Sequence, residues 1–381
     1  MSTISWTEND ITRTARWHSE NGTPAAAHIV VIDDRTSANT AVRLARSGTG
    51  LLWRGDFHNA RNLLRAMDRR LSGTSRPVPD GLGARFHAQR AARSHRAAVL
   101  GRVLIALEHD RSIRLDRAPD VRAACTHAYG KPTHERCETT LISLPELLGV
   151  MGAYEWHRRG IDIAALGERL HPAYGVFAPT RAEYIDLVAA EPFPVDRPVV
   201  FDIGTGTGVL AAVLARRGAA GVVATDINPR AVRCARENMR LLGLDDRIRV
   251  LEGDLWPDTI VRADLIVCNP PWLPGNPSSA LELGIYDAAS GMLTRFLGEL
   301  ADHLTSHGEG WLILSDLAEH LGLRTREQLL AQIAAAGLEV LARTETAPRH
   351  PRAADRSDPL HAARARERIA LWRLAPRTCD Y

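Results

Sequence analysis

Apolar and polar positions along this chain change their rhythm near residue 175. Beyond it, short apolar runs at 198–203, 221–225, 247–251, 263–268, 310–315, 339–345 and 367–374 read as strands, because each is four to eight residues long and bounded by turn formers. Helical spacing fills 181–190, 207–217, 229–242, 288–305 and 325–337. Strands separated by helices predict a Rossmann-like, doubly wound and mostly parallel α/β sheet.

Ahead of 175 the pattern is less regular. His28-Ile-Val-Val-Ile32 and Gly50-Leu-Leu-Trp53 read as strands before a helix at 57–71, and the Pro- and Gly-rich stretch Gly73 to Gly83 as a loop. Val99, Leu100, Val103, Leu104 and Leu107 recur at helical spacing inside a helix predicted over about 84–109, whose other face carries Arg90, Arg93 and Arg96. Those arginines read as solvated helix surface, with substrate binding as the alternative. Ser143 to Leu170 is again helical in pattern, broken near Gly160. His171-Pro-Ala-Tyr174-Gly175 then supplies turn residues that suit a junction.

At 381 residues the chain exceeds what one core usually supports, and about 150 residues per domain gives two. The expected division is an N-terminal substrate-recognition domain over 1–175, mixed α/β or mostly helical, and a catalytic domain over 176–381. With 45% apolar and 24% charged residues, neither wholesale disorder nor a fibre is expected. The start is polar and no apolar run approaches the roughly 20 residues of a membrane span, so a cytoplasmic protein is expected.

Net charge is +3, yet residues 1–175 hold 25 Lys+Arg against 18 Asp+Glu, so the front part is the basic one. That asymmetry keeps an RNA-facing surface open, although a single lysine, Lys131, shows that arginine richness is a habit of the whole composition. Cys125, Cys137, Cys234, Cys268 and Cys379 are odd in number and scattered, which points to reduced thiols and to neither a disulfide framework nor a metal site.

Candidate chemistry gathers at the ends of the predicted strands. Asp202-Ile-Gly204-Thr205-Gly206-Thr-Gly208 follows the first strand, and glycines there let backbone approach a nucleotide ligand. The spacing is GxGxG, with Val209 where a dinucleotide fingerprint would place its third glycine; this resembles motif I of the class I S-adenosylmethionine (SAM) methyltransferases, NAD being the competing cofactor. The second strand ends at Asp226, followed by Ile227, and its two oxygens suit a pair of ribose hydroxyls. The third ends in Gly253-Asp254-Leu255-Trp256, where a carboxylate can accept from an adenine amino group.

The fourth strand ends in Asn269-Pro270-Pro271-Trp272. Two prolines fix the backbone and remove two N–H donors, leaving carbonyls free to accept. Asn269 Oδ1 and the Pro270 carbonyl can then each accept one hydrogen of a planar NH2 group, with Trp272 as a flat face beside it, and Asn269 also borders the cofactor. The segment 346–366, carrying His350, Arg352, Arg356 and Asp358, is long for a connection and can cover a site. His171, Tyr174 and Arg181 are weaker candidates near the donor pocket.

On these residues, 176–345 resembles the HemK-like family, the glutamine N5-methyltransferases of release factors and ribosomal protein. The resemblance implies SAM as cofactor, held by Gly204, Gly206, Gly208, Asp226 and Asp254, and methyl transfer to a protein glutamine amide held by Asn269 and Pro270. The same clamp occurs in N6-adenine and N2-guanine RNA or DNA methyltransferases, and a small-molecule N-methyltransferase is the third reading. Two departures concern the substrate. Phe177-Ala-Pro179-Thr-Arg181-Ala-Glu183 stands where the family carries Pro-Arg-Pro-Asp-Thr-Glu, and Trp272 stands where it carries tyrosine.

Overall fold

In the computed structural model, described over residues 2–73, 79–132, 139–279 and 281–377, the chain divides into two compact units. One comprises Met1–Asp80 and Ala84–Glu155; the other is Trp156–Tyr381 with Gly81–Gly83. The division precedes the junction expected near 175. Its cause is visible in the packing: Ile163 and Leu170 are buried in the core of the second unit. Cys137 and Cys379, and residues 74–78 of the loop expected at 73–83, lie outside the described residues.

The first unit is α/β. Its strands are β1 (Thr3–Glu8), β2 (Ile11–Trp17), β3 (Ile29–Ile32), β4 (Gly50–Trp53), β5 (Val103–Leu107) and β6 (Thr140–Ser143), in sheet order β1-β2-β6-β5-β4-β3. Asn9 and Asp10, at φ 52° and 59°, make the two-residue turn of the β1–β2 hairpin, since a tight hairpin needs positive φ at both central residues. Helices α1 (Ala38–Arg46), α2 (Phe57–Ser72), α3 (Leu82–Leu100), α4 (Arg122–Tyr129) and α5 (Leu144–Arg159) connect the strands.

Two readings from the sequence are corrected here. The helix expected to 109 ends at Leu100, and Val103, Leu104 and Leu107 belong to β5, hydrogen-bonded between β4 and β6. A run buried on both faces carries no period of its own, so its apolar residues fitted the helical spacing by accident. In the helical pattern over 143–170, the part before the expected break near Gly160 is helix, to Arg159, and the part after it is not. Gly160, at φ 69°, turns the chain into a hairpin of β7 (Ile161–Ile163) and β8 (Glu168–Leu170). Of the arginines on α3, Arg96 is tied to Asp68, which is a structural use.

The second unit is the doubly wound sheet. After α6 (Glu183–Ala190) come β9 (Val199–Ile203), α7 (Val209–Arg216), β10 (Gly221–Asp226), α8 (Pro229–Leu241), β11 (Ile248–Glu252) and β12 (Ala263–Cys268). A small ladder, β13 (Leu273–Pro274) with β14 (Tyr286–Asp287), leads to α9 (Gly291–His303) and β15 (Leu304–Ser315). Then follow α10 (Leu317–His320), α11 (Arg326–Ala335), β16 (Leu338–Thr346), α12 (Pro351–Ala354), α13 (His361–Arg364) and β17 (Ile369–Pro376). Sheet order is β11-β10-β9-β12-β15-β17-β16, parallel except for β17, which runs antiparallel to both neighbours.

Alternate residues of the same strands fill two cores, one on each face. Val200, Leu265, Trp311 and Leu371 belong to one; Phe201, Ile266, Leu312 and Trp372 belong to the other. Strands covered on both faces must be apolar throughout, which is why these runs stood out in the sequence. Among the described residues no helix is long and apolar enough to cross a membrane.

Candidate functional site

Strand register brings the two motifs together. Ile203, the last residue of β9, pairs with Thr225 of β10 on one side and with Cys268, the last residue of β12, on the other. The glycine turn therefore starts beside Asn269. This is also where the strand order reverses about β9, the position at which an open α/β sheet leaves a crevice for a ligand.

Each glycine of the turn has its own reason to be there. Gly204, Gly206 and Gly208 have φ of 73°, 58° and 85°, where a side chain costs backbone strain. A Cβ on Gly208 would lie 2.7 Å from Met239 Cε of α8, and one on Gly204 would lie 3.4 Å from Met292 Cε. On Gly206 it would meet nothing within 4 Å. The third glycine thus serves helix packing, whereas the middle one presents bare backbone to open space.

Asp226 ties the turn to β10. Its Oδ2 accepts from Gly206 N at 2.9 Å and its Oδ1 from Asn228 N at 2.8 Å. Each oxygen keeps a further lone pair, as a ribose diol requires. Burial pushes its pKa up against those two donors, which favour the charged form.

Asp202, placed among the cofactor contacts from the sequence, lies beneath the turn. It is 2% exposed, and its Oδ2 accepts from Thr205 Oγ1 at 2.6 Å and Ala211 N at 3.1 Å, fastening the turn to α7. Burial raises its pKa to about 6. Thr205 and Leu255 are buried with it, Leu255 at φ 72°. By contrast Ile227 is 62% exposed, an apolar side chain standing free at the crevice edge. Asp254 is exposed and pairs with Arg295 at 2.9 Å, a partner no sequence motif announced. Open backbone at Gly206, spare acceptors on Asp226 and the exposed Ile227 and Asp254 fit a nucleoside cofactor.

On the other side of the crevice, Trp272 Nε1 donates to Asn269 Oδ1 at 2.8 Å. An indole N–H only donates, so the atom facing it must be the amide oxygen, and the orientation of the Asn269 amide follows. Among the described residues neither Asn269 Nδ2 nor the Pro270 carbonyl has a hydrogen-bond partner. Trp272 is half-buried and packs against both cores. The Arg181 Cζ lies 5.0 Å from its ring centroid, so the ring expected as a stacking face already has one cation on it.

Of the weaker candidates, then, Arg181 reaches Trp272. His171 instead holds its loop, Nδ1 meeting the His157 carbonyl at 2.6 Å and N–H donating to Asn238 Oδ1 at 2.9 Å. Tyr174 sits under Arg230. The segment 346–366 is folded: Arg349 N donates to Glu183 Oε1 at 2.6 Å, Asp358 pairs with Arg364 at 2.9 Å, and Leu360 is buried. Arg356 is exposed, and the Arg352 side chain lies outside the described residues. His350 stands near Arg181 and Glu367; burial first, and then the Arg181 charge, push its pKa down. Sequence reasoning missed Glu367, 1% exposed, which binds Arg181.

Comparison with known proteins bears on this edge of the sheet. The family model described as "Methyltransferase small domain" matches residues 169–334. A Methanocaldococcus jannaschii protein provisionally named protein N5-glutamine methyltransferase is 32% identical over 163 residues, which are 41% of this chain and 80% of that one. The release factor glutamine methyltransferase of Cereibacter sphaeroides is 40% identical over 98 residues, 26% of this chain and 34% of its own length. The match thus spans about a third of that relative's length. The crystal structure of a ribosomal protein L11 methylase from Lactobacillus delbrueckii subsp. bulgaricus aligns at 20% identity and a TM-score of 0.36, covering 51% of this chain and 77% of that one.

Proposed function

Since the chain belongs to the HemK-like family of class I SAM-dependent methyltransferases, we propose that it methylates a glutamine side-chain nitrogen of a protein, a translation factor or ribosomal protein. The observation that carries this reading is the pairing of Ile203 with Cys268, which sets the open glycine turn beside an amide-holding loop.

The residues present divide the work. Gly206 backbone, Asp226, Ile227 and Asp254 hold the cofactor, with Asp226 on the ribose hydroxyls. When bound, SAM supplies an electrophilic methyl group. Asn269 Oδ1 and the Pro270 carbonyl each accept one hydrogen of the acceptor NH2, which fixes the plane of the group and aims its face toward the donor side. An amide nitrogen needs this help because its lone pair is delocalised into the carbonyl. Orientation of that kind contributes up to roughly 7 to 11 kcal/mol in favourable cases. The nitrogen becomes cationic on methylation and then sheds its proton readily to water, so no strong base is required of the chain.

Two features favour an amide over a nucleobase. Arg181 covers one face of the Trp272 ring, and the half-buried ring packs against both cores, so little of the indole is left as a stacking platform. The test is transfer of tritiated methyl from SAM into purified release factor and into whole lysate, followed by protease or nuclease. Label removed by protease and recovered as N5-methylglutamine is expected. Label removed by nuclease instead would replace this reading with base methylation.

A further inference from the structure

Arg181 lies in the stretch ahead of α6, and its guanidinium is held by Glu367, just ahead of β17. Nη1 donates to Glu367 Oε1 at 3.0 Å and Nη2 to Oε2 at 3.4 Å; the two side chains are 15% and 1% exposed. Glu367 is fixed in turn. Its Oε1 accepts from Ser315 Oγ at 2.6 Å, and the same Ser315 Oγ accepts from Leu317 N at 3.0 Å. The carboxylate is thereby tied to the end of β15 before Arg181 meets it.

A buried ion pair of this sort adds little net stability compared with apolar side chains of the same volume. What it supplies is a fixed position for a planar cation. The Arg181 Cζ stands 5.0 Å from the Trp272 centroid, within reach of a cation–π attraction, and Trp272 donates to Asn269 Oδ1. Ser315, Glu367, Arg181, Trp272 and Asn269 form one continuous line of contacts. His350, its pKa lowered by burial, stays neutral beside the pair and adds no competing cation at neutral pH.

We propose that Arg181 is a positioning residue of the acceptor clamp: held by Glu367, it fixes the Trp272 ring so that the indole N–H stays on Asn269 Oδ1 and the other lone pair of that oxygen is set for the acceptor nitrogen. The catalytic consequence rests on the methyl-transfer reading above; the structural part is independent of the acceptor.

The test follows the Trp272 indole N–H in the purified full chain by magnetic resonance, identifying it among the eight tryptophans by its loss in Trp272→Phe. Arg181→Met removes the cation at similar length, and Glu367→Gln keeps the acceptor for Ser315 while weakening the pair. In both, the indole N–H exchanges with solvent at least about tenfold faster. SAM affinity measured by calorimetry is unchanged, and transfer to acceptor falls by up to about a hundredfold. Arg181→Lys, which keeps the charge but lacks the planar fork, recovers part of the protection. Should Arg181→Met fail to fold, Glu367→Gln carries the comparison. Unaltered exchange in these variants, alongside faster exchange in Asn269→Ala, overturns the proposal. A parent enzyme that transfers no methyl while exchange still responds overturns the functional reading and supports the positioning role.

Discussion

The indole N–H of Trp272 lies 2.8 Å from Asn269 Oδ1, so the ring that follows the two prolines orients the amide that precedes them. Trp272→Phe keeps an aromatic ring and removes that one donor. Its expected effect is a loss of turnover of about ten- to a hundredfold, the scale set by modest misplacement of a reacting group, with SAM affinity unchanged. Asn269→Ala abolishes turnover and leaves SAM binding nearly intact. Calorimetry and methyl-transfer assays on the same preparations check both; equal turnover in either variant and the parent sinks the clamp.

Gly206 and Gly208 are separable by experiment. Gly208→Ala meets Met239 and a φ of 85°, so it lowers stability, by about 1–3 kcal/mol for the backbone alone. Gly206→Ala carries comparable strain but fills open space, so it also weakens SAM binding. Asp226→Ala removes acceptors from the ribose and weakens SAM binding by about 1.5–3 kcal/mol. Thermal unfolding with and without SAM reads these effects apart. The assignment of the middle glycine to the ligand fails if Gly206→Ala and Gly208→Ala are stabilised equally by SAM.

Asp202 gives the chain a pH signature. Its native pKa is raised, from the ordinary 3.8 to about 6, by complete burial. Between those values the native state holds a proton that the unfolded chain releases, so stability falls as pH rises through that window and is level above it. At about 1.4 kcal/mol per pH unit, the full cost is about 3 kcal/mol. Asp202→Asn preserves an oxygen for Thr205 and Ala211 and abolishes that slope. In urea unfolding the variant therefore gains on the parent as pH rises from about 4 to about 6. A difference that stays constant over this range refutes the assignment.

Much of the second unit was legible because its strands end in chemistry. Asp226, Gly253-Asp254 and Asn269-Pro270-Pro271 each mark where an apolar run stops, and the structure ends β10, β11 and β12 at those places. Sequence spacing was a poor guide where burial was uniform. Val103 to Leu107 satisfied a helical template and a buried strand equally, and the single break, Gly101, was too weak to separate them. The hairpin at Ile161 to Leu170 was lost for a related reason, its strands being only three residues each. Long-range pairs left no trace. Arg181 and Glu367 are 186 residues apart, and nothing in the neighbourhood of either names the other. Asp202 shows a subtler limit: its place in the motif was evident, but whether it faced the ligand or the framework depended on burial that only the fold supplies.

The placement of β17 ties the last strand of the chain to the surroundings of Arg181. The glycine turn and Asn269-Pro270-Pro271-Trp272 are complete by residue 272, yet the carboxylate that binds Arg181 comes at 367, shortly before a strand that inserts between β15 and β16. Ser315, which holds that carboxylate, pairs with Ile369 in the same register. On the roles proposed above, the residues assigned to the methyl donor all precede, by about a hundred positions or more, the one that holds Arg181 against Trp272. Insertion of β17 between β15 and β16 completes that line of contacts.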